Sequence, residues 1–320
     1  MRRWWWVAAA ALFTAALLGA VSRQGELLRA VELLARIDPA KAFVALLCEA
    51  VALLCPAAMQ RWLLTTGGLR MTTVGMVPLV LSANAIAGVL PGGAVFSIAW
   101  LYRQLRRRGA GEALTAAVLV VAGGLSALGL LVVIVLGALT AGSRGPGPVA
   151  AVVVLATLAV VGLVVARSNV VRRAMGQGWA RVEARYGRTR AAGKAVRGLV
   201  ARARRVRPGV RPWLWPVALG VLNWVFDAAC LVAGMWALGV PVPWNGLLLA
   251  YGLVQIPVSA RLTPGGIGIA EASLTGLLVV YGLHPGQAFA AALVYRLWSY
   301  WVPQLVGWGC WLGITVREAR

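Results

Sequence analysis

Acidic residues are scarce in this chain. Nine Asp and Glu stand against 31 Lys and Arg, giving a formal net charge of +22 over 320 residues. Charge of either sign is also scarce, at 12% of residues, where a soluble domain carries roughly 25%. That excludes an ordinary water-soluble globule, and with it the reading of a basic chain as a nucleic-acid binder. The four cysteines, Cys48, Cys55, Cys230 and Cys310, all lie in apolar segments without Cys-x-x-Cys spacing. Neither a disulfide framework nor a zinc site is suggested. The lone histidine, His284, sits in a Leu-His-Pro-Gly turn, where solvation is its plain role. No phosphate loop of the form G-x-x-x-x-G-K-[ST] occurs, nor a metal-ligand cluster, nor a nucleophile–base set. No metal, no cofactor and no enzyme chemistry are therefore expected.

Apolar residues fill the space. They make up 61% of the chain, and mean hydropathy is +0.81. Several runs reach the ~20 residues needed to cross a bilayer. The sequence predicts a single all-α, polytopic membrane domain over 1–320. Its expected spans are Trp4–Val21, Ala42–Leu64, Thr72–Leu90 with Ala94–Leu105, Glu112–Thr140, Pro148–Ala166, Trp213–Val240, Trp244–Leu262 with Ile267–Gly282, and Gly286–Val316. The first run also has the outline of a signal peptide; an uncleaved helix is the preferred reading, because the rest of the chain stays in the membrane.

Orientation follows from charge. The stretch 167–211 holds fourteen Arg or Lys and one acid, Glu183, which marks a cytoplasmic loop able to touch anionic lipid. Counting spans from it places both termini, Arg61, Arg70 and Arg106–Arg108 inside. The turns at Val240–Asn245 and His284–Pro285 fall outside. A multi-pass protein of the cell membrane is expected.

Two segments break their helices in the same way. One reads Leu-Pro-Gly-Gly at Leu90–Gly93, the other Thr-Pro-Gly-Gly at Thr263–Gly266. Each is followed by a short helix, a Gly-rich turn and an Ala-rich span. The count of spans gives them opposite parity. The predicted fold is thus two inverted repeats, 42–140 and 213–316, each with a re-entrant hairpin, an arrangement found in transporters. The stretch Ala94–Leu105 is ~18 Å long as a helix, too short to cross, so the break must lie inside the bilayer. Broken backbone at that depth survives only against protein or a water-filled cavity. A half-helix starting there would point its free N–H groups at an anion. Pro91, Gly92, Gly93, Pro264, Gly265 and Gly266 are therefore candidate binding positions.

Five ionisable residues fall at membrane depth: Glu49, Asp227, Arg261, Glu271 and Arg296. Unpaired, each costs ~2.5–3.5 kcal/mol, so pairing or hydration is required. Structural ion pairs, such as Glu271 with Arg296, are one reading. A polar pathway for a charged substrate is the other, and Arg296 is expected on it as a substrate contact. Asn84 and Ser97 sit near the first break and join the candidate pathway with Glu49 and Asp227. Trp298 and Trp301, beside Arg296, are candidates to line it.

The stretches "TPGGIGIAEASL", "YGLHPGQAFAAALVYRLWSYWVP" and "LPGGAVFSIAWLYRQLRRRGAGEA", with Arg61-Trp62, resemble the flippase-like family that includes the membrane domain of lysylphosphatidylglycerol synthases. The resemblance covers most of Ala42–Gly309. It implies an integral membrane protein that handles a lipid with a charged head, in some members by flipping aminoacylated phosphatidylglycerol. On the family pattern P-G-G-x-G-x-x-E…Y-R, the matching residues are Pro264, Gly265, Gly266, Gly268, Glu271, Tyr295 and Arg296. The first copy departs from it at Ser97, where many members carry an acid. No soluble aminoacyl-transfer segment follows within these 320 residues, and synthase chemistry is not expected. Three readings stay open: a translocase for a phospholipid or polyprenyl-phosphate sugar, a secondary transporter of a small anionic solute, and a non-transporting anchor subunit for a partner enzyme. The expected partners are membrane lipids and their anionic head groups. A partner enzyme and homo-oligomerisation remain open.

Overall fold

The structure is a computed structural model that describes residues 32–89, 93–141, 211–259 and 263–319, with 198 and 201 as isolated positions. The expected spans at 4–21 and 148–166, and nearly all of the basic stretch 167–211, lie outside them. So do Pro91, Gly92 and Arg261. Regular structure among the described residues is entirely helical: α1 Pro39–Thr66, α2 Thr73–Val89, α3 Gly93–Arg107, α4 Glu112–Thr140, α5 Arg211–Ala237, α6 Leu247–Ser259, α7 Ile269–Val280, α8 Pro285–Arg296 and α9 Val302–Ala319. A 3₁₀ turn at Pro264–Gly266 precedes α7, and a π-helical turn at Leu297–Trp301 joins α8 to α9.

Helix length sorts these elements. With 28 residues, α1 is ~42 Å long, more than the ~30 Å of hydrocarbon. Three helices, α1, α4 and α5, are long and apolar enough to cross a membrane by length and composition; α2, α6 and α7 are shorter apolar helices. The run Gly286–Val316 is helical throughout, with a π-helical turn at Leu297–Trp301 immediately after Arg296. Such turns cluster at functional positions.

Local chemistry sets the starts. Asp38 caps α1, its Oδ1 accepting from the N–H of Ala40 at 3.0 Å, with Pro39 preset for the first turn. The α2–α3 reversal is closed by Gly93, where a Cβ would stand 2.5 Å from the Ala87 carbonyl oxygen.

The helices pack along small residues. A Cβ on Gly220 of α5 would come within 2.7 Å of the Leu125 carbonyl oxygen of α4, and one on Gly137 of α4 within 2.5 Å of the Leu249 nitrogen of α6. Backbones approach this closely only through glycine, the device that membrane helices use in place of a hydrophobic drive. Outward faces are greasy instead: Phe43, Leu47, Val51 and Leu54 of α1 are exposed, as are Val95, Phe96 and Ile98 of α3. Gly220→Val should therefore force α4 and α5 apart and cost ~1–3 kcal/mol of stability. Thermal unfolding in detergent measures this. An unchanged melting temperature would show that the two backbones are not held in contact.

Contacts also fix the two ends of the bundle. Arg61 Nε donates to the Met71 carbonyl at 3.1 Å, a Cβ on Gly67 would run into Leu114, and Arg107 of α3 pairs with Glu318 of α9. At the other end, the Asp38 N–H donates to the Ala237 carbonyl at 2.9 Å, and His284 shares a surface hollow with Glu32 and Arg36. Arg61, Arg107 and Arg317 thus gather at one end, opposite His284, while Arg36 and Lys41 pair with acids at the other.

The helices pair as follows. Helix α1 lies along α5; α2 packs on α3 and on α9; α6 packs on α7 and on α4; and α7 packs on α8.

Candidate functional site

The site grows from the α1–α5 contact. That contact brings Glu49 of α1 against Asp227 of α5, two carboxyl groups within hydrogen-bonding reach of one another. Glu49 is only 4% exposed. Asp227 is held from three directions. Tyr251 of α6 donates its hydroxyl to Oδ2 at 2.7 Å, Gln255 donates Nε2 to the same oxygen at 3.2 Å, and Tyr295 of α8 donates its hydroxyl to Oδ1 at 2.9 Å. Gln255 Nε2 also donates to the Tyr295 hydroxyl oxygen at 2.9 Å. The rings of Tyr251 and Tyr295 meet edge to face, 6.3 Å between centroids.

The next residue of α8 looks the other way. Arg296 is 5% exposed. Its Nε donates to Glu271 Oε1 at 2.8 Å, and its Nη2 donates to the Gly265 carbonyl at 2.7 Å. Its guanidinium carbon lies 4.3 Å from the centroid of the Tyr300 ring, a cation–π contact. The sequence offered an ion pair and a substrate contact as alternatives for Arg296; among the described residues its partners are Glu271 and Gly265.

Glu271 has a second duty. Its Oε2 accepts from the Gly268 N–H at 2.6 Å, at the start of α7. This modifies an expectation. The N-terminus of the second half-helix was predicted to offer its N–H groups to an anion, and the chain's own carboxylate already takes one of them. Gly265, Gly266 and Gly268 all adopt positive φ, +61°, +68° and +83°, so the turn needs three glycines to present the Gly265 carbonyl to Arg296.

Tyr300 joins the two broken segments. Its hydroxyl donates to the Gly88 carbonyl near the end of α2 at 3.1 Å, and its ring fills the space that a Cβ on Gly265 would occupy. Gln304 Nε2, one turn on, donates to the Ala85 carbonyl at 2.8 Å. The end of α2 touches the Pro264–Gly266 turn. Asn84 of α2 is half-buried and Ser97 of α3 is buried; no hydrogen bond among the described residues ties either to the cluster.

A cavity of about 240 Å³ adjoins Glu49, between α1, α2 and α9. Its walls include Leu53, Leu54, Leu81, Trp298 and Val306. It is apolar and reaches the outer surface, since Leu54 and Val306 are 44% and 49% exposed.

Sequence reasoning found Glu49, Asp227, Glu271, Tyr295 and Arg296, and missed Tyr251, Gln255 and Tyr300. Tyr251 and Gln255 carried a signal: two polar side chains four apart on an apolar helix share a face. Tyr300 carried none, because its position depends on the π-helical turn.

Apolar spanning helices around buried charges define the class: a polytopic helical membrane protein with an ionic core. The chain belongs to the family described as the lysylphosphatidylglycerol synthase TM region, whose pattern matches residues 4–307. It is also similar to UPF0104 membrane proteins of Methanothermobacter thermautotrophicus, at 30% identity over 105 residues in one comparison, 32% of this chain and 31% of the relative. A second match is 32% identical over 91 residues, 28% of this chain and 25% of the relative. The matched segments thus span about a third or less of those relatives' own length.

Proposed function

We propose that this protein is a flippase-like lipid translocase for an anionic or phosphate-linked lipid. One observation carries the reading: a buried guanidinium, Arg296, sits where the two broken segments meet, held by partners that a phosphate can replace. A planar guanidinium grips a phosphate through paired hydrogen bonds. Glu271 holds that place when no lipid is bound. The apolar cavity that opens sideways beside the cluster suits acyl chains, which favours a lipid over a small solute. Gly93 and the Pro264–Gly266 turn complete the proposed head-group path, to which the sequence alone assigns Pro91, Gly92 and Arg261.

The pairing of helices supports two inverted repeats with re-entrant hairpins. When the two halves are swapped, the α1–α5 contact maps onto itself and α2–α9 exchanges with α6–α4. The end that gathers Arg61, Arg107 and Arg317 is the cytoplasmic one on charge grounds.

The test is flipping in proteoliposomes with fluorescent phosphatidylglycerol, read by a membrane-impermeant quencher. Wild type should accelerate quenching of inner-leaflet lipid. Arg296→Lys should fold yet slow it at least ~10-fold, because an ammonium cannot grip phosphate in the same fork. If wild type moves no labelled phospholipid, or the lysine variant matches it, the reading fails.

A further inference from the structure

Two carboxyl groups in one buried contact raise a question of charge. Among the described residues the cluster holds three carboxyl groups, Glu49, Asp227 and Glu271, against one guanidinium, Arg296. Arg296 spends its Nε on Glu271. The Glu49–Asp227 contact has no cation of its own in hydrogen-bonding range. Two carboxylates side by side in a dry site repel, and the contact becomes attractive when one of them carries a proton.

Counting donors identifies which one. Tyr295 accepts from Gln255, so its single hydroxyl proton is the one that points to Asp227. Tyr251 and Gln255 donate to the other oxygen of Asp227. With three donors directed at it, Asp227 is built as an acceptor. Glu49 has no such shell. Its Oε2 is buried without a hydrogen-bond partner, on a residue that lines the apolar cavity.

We propose that Glu49 and Asp227 form a proton-binding site, with the proton resident on Glu49 and donated to Asp227. The site is distinct from the Arg296–Glu271 pair and does not depend on what the protein carries. The ionisable groups around it are Cys48 on α1, Cys230 on α5, Tyr251 on α6, and Tyr295 and Arg296 on α8. The cavity walls contributed by α2 and α9, Val77, Leu81, Val302, Pro303 and Val306, bring no ionisable group. None of the surrounding groups supplies Glu49 with a cation, so a proton is the charge that fits. Its release leaves two facing carboxylates, which gives the α1–α5 contact two states of different stability and couples protonation to helix position.

Infrared spectroscopy on the purified full chain in nanodiscs tests this without any transport assay. At neutral pH wild type should show the C=O stretching band of a protonated carboxylic acid. The band should shift on ¹³C-glutamate labelling and not on ¹³C-aspartate labelling. It should shift again after equilibration in D₂O, because a proton-binding site must exchange its proton with solvent. Glu49→Gln keeps a neutral donor to Asp227, should fold with a melting temperature near wild type, and should lose the band entirely. An absent band in wild type, a band that survives in Glu49→Gln, a band that follows aspartate labelling, or one indifferent to D₂O overturns the proposal. Should Glu49→Gln not fold, the labelling and exchange results on wild type decide alone. Failure here leaves the lipid-flipping reading standing, and failure of flipping leaves this site standing.

Discussion

Arg296→Leu should lower the unfolding free energy by ~3–5 kcal/mol, the cost of leaving a buried ion pair half-made. Both partners are sequestered, with side chains 6% and 15% exposed, so water cannot replace the lost guanidinium cheaply. Three losses coincide. Glu271 keeps a charge with only the Gly268 N–H to solvate it. The Gly265 carbonyl, buried in the turn, loses its donor. The Tyr300 ring loses its cation. Glu271→Gln alone should cost less, since the amide oxygen can still accept from Gly268. Adding it to Arg296→Leu should recover part of the loss, because no orphan charge remains on Glu271. The double-mutant cycle should therefore show a coupling of at least ~1 kcal/mol, read by tryptophan fluorescence during denaturation in detergent. A loss below ~1 kcal/mol in the Arg296→Leu variant would mean that water fills the site and screens the pair.

The second large effect is expected at Gly265, where a single methyl meets two obstacles. Its φ of +61° is the left-handed region, costing an L-residue ~1–2 kcal/mol. The Cβ would also run into the Tyr300 side chain, adding ~1–3 kcal/mol of overpacking. Gly265→Ala should thus destabilise by ~2–5 kcal/mol. The two parts separate experimentally. In a Tyr300→Ala background the steric part disappears and only the backbone part remains, so the same substitution should there cost ~1–2 kcal/mol. Tyr300→Phe should cost ~1 kcal/mol through loss of the bond to the Gly88 carbonyl. Equal effects of Gly265→Ala in both backgrounds would show that the ring does not fill this space. Flipping measured on the same variants would then report whether the junction of the two broken segments matters beyond stability.

How much was legible in advance depends on how local the cause is. The all-helical membrane class was readable because hydropathy is additive along the chain and a bilayer imposes one length on every span. The breaks near Pro91 and Pro264 were readable because Pro-Gly-Gly cannot continue a helix. Glu49, Asp227, Glu271 and Arg296 stood out because each is costly where it sits, and cost marks a residue without naming its partner. Partners belong to the tertiary structure. Asp227 lies against Glu49 because α1 packs along α5, and it takes Tyr251 and Tyr295 from two further helices. Arg296 turns to Glu271 while its neighbour Tyr295 turns to Asp227, because adjacent residues on a helix point ~100° apart. Tyr300 reaches both broken segments only through the π-helical turn at Leu297–Trp301. The sequence by itself determined that this is a membrane protein with charges buried in broken helices, since solvation acts residue by residue. Which charges neutralise which was decided by tertiary structure alone, since pairing requires side chains far apart in the chain to meet within 3 Å or so.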